Sequence, residues 1–317
     1  MKSTHRVEAV RVRLEPHPNA DSLSLVRVWG YTVCVRTVDW EDGDMGAYIV
    51  PDSVVPDTPL FAFLGDSRRI RVRRLRGVMS QGLLVPAPEG AQEGDDVAEA
   101  LGVTRYEPPL STSMGGGEDG VPPRGHWPVY DVESWHRYKH LLAEGEPVFI
   151  QEKIHGANGR WLFDGEKMHC GSRTTWKREG STIWWHALNQ NPWLEALCRD
   201  NPGVCCYGEV FGQVQDLRYG AGRNDLFARL FDYFDGREWL QLLDWPGTTK
   251  PIIAPILYRG PYSEEVVREQ ADGQTMVPGA DHLREGCVIR PLLNRTDPEI
   301  GRVILKLVSD AYLERAK

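Results

Sequence analysis

Short alternations of apolar and polar positions fill the first third of the chain. Ser24-Leu25-Val26-Arg27-Val28 and Tyr31-Thr32-Val33-Cys34-Val35 are such runs, separated by polar turns bearing Gly and Pro. This pattern predicts strands. Closely spaced strands without long helices predict a small barrel or sandwich over residues 1–110. From Ser111 to Gly120 no apolar period survives, and Pro122-Pro123-Arg124-Gly125 prolongs the gap, so 111–126 reads as a linker. Residues 127–317 form a second domain in which both periods occur. Helices are expected over 133–142, with Asp131 as cap, over 182–198 with a break at Asn191-Pro192, and over 263–270. Strands are expected at 147–150, 167–170, 204–212, 230–236, 285–291 and 302–308. The fold class is α+β: a β-barrel domain, then antiparallel sheets flanked by helices.

Bulk properties narrow the function classes. At 317 residues the chain is comfortable for two domains, and 41% hydrophobic with 26% charged residues is ordinary for a globular protein. A formal net charge of −8 argues against coating nucleic acid through bulk charge, while leaving room for a local basic track. No apolar run approaches the length of a membrane span, and Met1-Lys2-Ser3-Thr4-His5 lacks an apolar signal core. Six cysteines occur without a C-x-x-C pair, and Cys205 and Cys206 sit in an apolar run that reads as buried. The expectation is a cytoplasmic, reduced monomer without membrane attachment or structural zinc.

The one local basic track is Arg68-Arg69-Ile70-Arg71-Val72-Arg73-Arg74-Leu75-Arg76. On a strand Arg69, Arg71 and Arg73 share one face and Ile70 and Val72 the other. A wall that is apolar inside and cationic outside suits a phosphate backbone. A soluble edge strand guarded by charge would look similar, but a run of arginine alone favours phosphate. His17-Pro18-Asn19-Ala20-Asp21-Ser22-Leu23 and Leu75-Arg76-Gly77-Val78-Met79-Ser80-Gln81-Gly82-Leu83-Leu84 resemble the tRNA-binding OB domains appended to some tRNA synthetases. The first domain is therefore expected to be an OB-like, RNA-binding barrel.

The second domain centres on Gln151-Glu152-Lys153-Ile154-His155-Gly156-Ala157-Asn158-Gly159-Arg160. A buried-looking strand delivers Lys153 to a glycine turn, with His155 on the same face by the period of two. A lysine desolvated there becomes a neutral amine, and a neutral amine is a nucleophile. The bland alternative is a surface lysine before a turn. Lys153 to Gly159 resembles the nucleophile motif of the RNA ligases, in the covalent nucleotidyltransferase superfamily.

That resemblance implies roles elsewhere. Lys153 would attack the α-phosphorus of ATP, with Glu152, Ile154, His155 and Asn158 around the nucleotide. Arg173 in Ser-Arg-Thr would contact the ribose or the 5′-phosphate end, and Glu209 in Tyr-Gly-Glu the ribose. Phe231 would stack on adenine, although Phe231 and Phe234 both fit a core position. Glu285 in Glu-Gly-Cys-Val-Ile would help hold Mg²⁺ or Mn²⁺, and Lys306 would face the phosphates. Trp161, Trp184 and Trp185 read as packing residues. The family's last strand usually carries two lysines, and here only Lys306 is present; Arg302, about 13 Å away along a strand, cannot replace the other. The domain order resembles the Deinococcus-type RNA ligases, which implies joining of 5′-phosphate and 3′-OH ends, with RNA or an RNA-containing nicked duplex as partner. The rival readings are another nucleotidyltransferase, such as a DNA ligase or capping enzyme, and a catalytically inactive RNA-binding module.

Overall fold

The computed structural model describes residues 5–106, 118–180, 182–246 and 252–315. It divides into two compact units, Met1–Pro108 with Leu313–Lys317, and Pro109–Tyr312. The glycine-rich part of the expected linker, 111–117, lies outside the described residues.

The first unit is built of short strands: β1 (Val7–Arg11), β2 (Leu14–Pro16), β3 (Leu23–Val28), β4 (Tyr31–Arg36), β5 (Met45–Ile49), β6 (Ser53–Val54), β7 (Arg73–Leu75), β8 (Val78–Ser80), β9 (Leu83–Pro86) and β10 (Thr104–Arg105). Among the described residues the ladders form separate sheets, β1-β5-β9 and β2-β3-β4, with two strand pairs, and do not close into one continuous barrel. Alternation does what it predicts: Val33 and Val35 turn inward with Val26, Val28 and Tyr48. The two motif blocks of this unit meet, since His17 Nε2 lies 3.2 Å from the Leu75 carbonyl and Asn19 Nδ2 donates to the Arg76 carbonyl at 2.9 Å.

The arginine run departs from expectation. It is not one strand: Arg69 makes a single bridge to Val54, and regular pairing begins only at Arg73. Arg69 Nη2 donates to Asp52 at 2.6 Å and its guanidinium stacks on Tyr106, 3.8 Å from the ring centroid. Asp52 neutralises that cation, so Arg71 and Arg73 are the exposed members of the trio.

In the second unit the strands are β11 (Glu133–Ser134), β12 (Pro147–Glu152), β13 (Ala157–Phe163), β14 (Met168–Ser172), β15 (Trp176–Lys177), β16 (Cys205–Gly212), β17 (Leu226–Phe234), β18 (Ile256–Pro261), β19 (Gly286–Pro291), β20 (Thr296–Asp297), β21 (Gly301–Arg302) and β22 (Leu305–Val308). They make two five-stranded sheets, β11-β22-β19-β12-β18 and β15-β14-β13-β16-β17. Helices Ile183–Gln190 and Pro192–Asp200, separated at Asn191 as expected, bury Trp184, Leu188 and Leu194 with Trp161 and Cys206 of the second sheet. Helix Glu264–Ala271, capped by the Ser263 side chain, buries Val267 with Val148, Ile150 and Ile289 of the first. Leu162 and Tyr207 from one sheet join Val288 from the other, with Ile304 beside β22, so the sheets face each other across this third cluster.

Three local expectations change. Residues 133–142 are a short strand, one helical turn over Trp135–Tyr138 and a 3-10 turn, and Asp131 binds Arg173 instead of capping. The 302–308 strand is split between β21 and β22, where Val303 N donates to the Arg295 carbonyl at 3.1 Å and Ile304 N to that of Arg302 at 3.0 Å. Residues 118–120 are not free linker, since Gly120 N donates to the Trp176 carbonyl at 2.8 Å. The cysteines are free thiols, and Cys205 and Cys206 are fully buried.

Candidate active site

The site lies where β12 ends. Glu152 still opposes Cys287 on β19; beyond it Lys153 N donates to the Gly286 carbonyl at 3.0 Å, fixing the lysine against the start of that strand. Two glycines allow the close approach. A Cβ on Gly156 would stand 2.1 Å from the Val210 carbonyl oxygen, and one on Gly286 2.1 Å from that of Leu307. No side chain fits either position.

Lys153 Nζ donates to Glu285 Oε2 at 2.6 Å. His155 Nδ1 lies 3.2 Å from the same oxygen, and its Nε2 lies 2.7 Å from Asp216 Oδ1. Tyr312 OH is 3.4 Å from His155 Nε2, and Tyr219 OH accepts from the His155 backbone N–H at 2.8 Å. Asp216, Tyr219 and Tyr312 carry no sequence signal; only the fold brings them to His155.

Across the gap between the sheets, Asn158 on β13 stands directly opposite Glu209 on β16. Directly paired residues of an antiparallel ladder share a face, and here it is the face of Tyr207 and Leu162 that looks toward the first sheet. On that sheet Lys306 of β22 pairs with Val288 of β19, and Val288 belongs to the same cluster. Phe231 sits at a bulge of β17, where Leu230 opposes Gly208 and Asp232 opposes Tyr207. Its ring meets Tyr130 at 4.7 Å. Its carbonyl accepts from Arg290.

Charge in the site is uneven. Burial alone would raise Glu285, but the charges of Lys153 and His155 and their hydrogen bonds together outweigh it and hold the carboxyl at about 2. Glu209 goes the other way. Burial pushes it up to about 8, with the charge of Glu285 adding and that of Lys153 opposing. His155 is raised: burial works against its charged form, and Glu285 and Asp216 prevail.

Three sequence-selected residues have other partners or surroundings. The Glu152 carboxylate accepts from the Thr275 hydroxyl and from Met276 N, the latter at 2.7 Å, and Ile154 is buried. Arg173 pairs with Asp131 at 2.7 Å. The ladder of β13 and β14 ends at Gly159–Ser172, so Asn158 and Arg173 are the residues that follow its last pair. Arg302 turns away to Asp232, 2.9 Å from its Oδ2, and covers Trp239 at 4.0 Å. Arg69, Arg71 and Arg73 belong to the other unit.

An RNA ligase family model matches residues 146–308, and an OB-fold domain model matches 4–87. No curated protein matches the chain in sequence. Among solved structures, Naegleria gruberi RNA ligase with PPi is 26% identical with a TM-score of 0.81, covering 98% of each chain. A mutant of that ligase with ATP and Mn is 25% identical at TM-score 0.81, again over 98% of each chain. Another mutant, with AMP and Mn, is 26% identical at TM-score 0.78 over 99% of each.

Proposed function

The chain belongs to the RNA ligase family, and on that premise we propose that it is an ATP-dependent RNA ligase whose nucleophile is Lys153. The Lys153 amine attacks the α-phosphorus of ATP and releases pyrophosphate. The resulting lysyl-AMP passes AMP to an RNA 5′-phosphate, and a 3′-OH displaces AMP to form the phosphodiester. The observation that carries this assignment is the meeting of Lys153, His155 and Glu285 at the end of β12, facing Asn158 and Glu209.

Each residue has a task that its place supports. An ammonium has no lone pair, so Lys153 must give up a proton and leave Glu285 before it can attack. His155, held through both ring nitrogens, is fixed in orientation beside it. Glu209 and Asn158 form the opposite wall toward the ribose, and Phe231 and Val288 offer apolar surfaces from the two sheets for the base. Lys306, on the face of Val288, supplies positive charge for the departing pyrophosphate.

The donor set also fits a divalent cation. Two carboxylates share the site, and one of them, Glu209, is pushed up to about 8 by burial, with the charge of Glu285 adding. Among the described residues no three His, Cys, Asp or Glu side chains form a metal cage. Glu285 and Glu209 would hold Mg²⁺ or Mn²⁺ largely through water, as such ions accept. Such an ion neutralises phosphate charge when bound.

The substrate of this reading is RNA or a nicked duplex with an RNA 3′-OH strand, handled by a cytoplasmic monomer. No helix of the described residues is long and apolar enough to cross a membrane. The test is incubation with α-labelled ATP and a divalent metal, followed by denaturation and then by sealing of such a nick. Label retained on the denatured chain and a joined product are expected. Absence of both sinks the proposal.

A further inference from the structure

Three cations around the β14–β15 hairpin are each met by an acid from one short stretch of chain. Arg173 pairs with Asp131 at 2.7 Å, Lys177 Nζ donates to Asp119 at 2.6 Å, and Arg178 Nη1 to Glu118 at 2.5 Å. The backbone follows: Gly120 N donates to the Trp176 carbonyl at 2.8 Å and Arg178 N to that of Glu118 at 2.9 Å. Residues 118–120 thus lie along β15 as a strap on the edge of the sheet.

Covering a sheet edge needs only those main-chain bonds. It does not call for a carboxylate at each cation, and Val121, the first apolar residue after the strap, is 80% exposed and does not hold it down. The cations also have a direction. Arg173 follows Ser172, whose partner Gly159 is next to Asn158 on β13. Lys177 and Arg178 follow along β15, and the path opens into a cleft of about 490 Å³ where Lys167 and Arg199 add charge against three glutamates. A polyanion whose end lies at Lys153 has this path to follow.

We infer that the β14–β15 edge, from Arg173 through Lys177 to Arg178, docks the phosphate backbone of the RNA, and that Glu118, Asp119 and Asp131 occupy it as phosphate stand-ins until RNA arrives. This rests on the RNA ligase reading. The exchange is undemanding. Arg178 and Glu118 are 71% and 76% exposed, and an ion pair so exposed contributes little to stability. Lys177 is only 13% exposed, but its partner Asp119 is 65% exposed and can swing away to leave the ammonium to a phosphate. RNA phosphates gain counterion release in addition. Only the acid side chains need rotate; the main chain of the strap can stay.

The experiment measures the Kd of the full chain for a nicked duplex with an RNA 3′-OH strand across salt concentrations, with AMP labelling as the check of folding. Glu118→Gln/Asp119→Asn should tighten binding roughly three- to tenfold at low salt. Lys177→Gln/Arg178→Gln should weaken binding and lower the salt slope by about 1–2. In that cation-depleted chain the acid substitutions should have no further effect. Equal tightening in both backgrounds would mean a bulk charge effect, and no tightening at all would mean a mere edge cover; either overturns the inference. If Lys177→Gln loses AMP labelling through misfolding, Glu118→Gln against Arg178→Gln gives the same cycle. A parent that binds no RNA at any salt overturns the docking edge. A parent that binds RNA and labels with AMP but seals nothing overturns the ligase reading alone, and the binding cycle still decides the strap.

Discussion

The Nζ of Lys153 lies 2.6 Å from Oε2 of Glu285, 132 residues further along the chain. This contact joins the proposed nucleophile to the proposed metal-binding carboxylate. It also means that the resting lysine is held as a donor, with Glu285 kept ionised at about 2. Attack therefore begins with the separation of this pair, and substitutions at the two positions should differ in kind.

Lys153→Ala should reduce covalent AMP labelling to background. It should also leave Glu285 buried without its main cation, so a modest fall in Tm is expected while the fold persists. Lys153→Arg should keep the ion pair and the Tm yet label no better, because a guanidinium is essentially never neutral. Robust labelling of either variant, measured on denatured protein, would move the nucleophile elsewhere.

The pH dependence of stability carries the signature of Glu209. Its folded value of about 8 stands above the ordinary 4.5, so between these values the folded chain binds a proton that the unfolded chain does not. Stability from this group is complete below about 4.5 and is lost as pH rises through 8. His155, also raised, runs the same way above 6.5. Glu285 runs oppositely, its contribution being lost as pH falls toward 2. The apo chain should lose Tm between pH 5 and 8.5. Glu209→Gln should remove the larger part of that slope and be more stable than the parent at pH 8.5. An unchanged slope in a thermal scan would contradict the burial of this carboxyl.

Much of this arrangement is legible in the sequence because it depends on local pattern. The apolar run 147–150, the glycine turn after Lys153 and the apolar run in 204–212 each specify a strand. What is not legible depends on pairing between distant segments. Nothing around Asp216 marks it as a partner of His155, and nothing around Asp232 tells that it will sit between two arginines. The arginine run misleads for the same reason. Alternation puts Arg69 and Arg71 on one face only if a strand forms, and Asp52 with Tyr106 draws Arg69 aside instead. Likewise Asp131 looks like a helix cap, but a cation 42 residues away takes its carboxylate.

Asp232 and Arg290 offer a test of how the sheets are held. Asp232 is fully buried and lies 2.5 Å from Arg290 Nη1 and 2.9 Å from Arg302 Nη1. Arg290 also reaches Gln151 on β12 at 2.7 Å and the carbonyl of Phe231 on β17. It therefore ties the nucleophile strand to the strand bearing the proposed base-stacking ring. Removing one partner of a buried pair costs about 3–5 kcal/mol. Asp232→Ala should reach that range in urea unfolding, because it strands two guanidinium groups. Arg290→Met should cost less, since Arg302 still faces Asp232, but should raise KM for ATP by loosening Phe231. A destabilisation below about 1 kcal/mol for Asp232→Ala would show that water reaches the cluster.

The last prediction concerns Arg71 and Arg73. Both are exposed, and among the described residues neither has the neutralising carboxylate that Asp52 provides for Arg69. If the OB-fold unit grips RNA through this segment, the charge available to phosphates comes from these two and not from all three. Arg71→Ala/Arg73→Ala should lower the slope of log Kd against log salt by about 1–2, roughly one for each phosphate that is no longer neutralised. Sealing of a nicked duplex should fall with it, because joining needs the duplex held while the 3′-OH is aligned. AMP labelling should be unaffected, since every residue assigned to that step lies in the second unit. Arg69→Ala should barely change the salt slope, and should instead free Asp52 and Tyr106 from their shared guanidinium and lower Tm slightly. The measurement is binding to a nicked duplex with an RNA 3′-OH strand at a series of salt concentrations, beside a thermal scan of each variant. A double variant that binds and seals like the parent at every salt concentration would exclude this segment as the RNA grip, whatever the OB fold does otherwise.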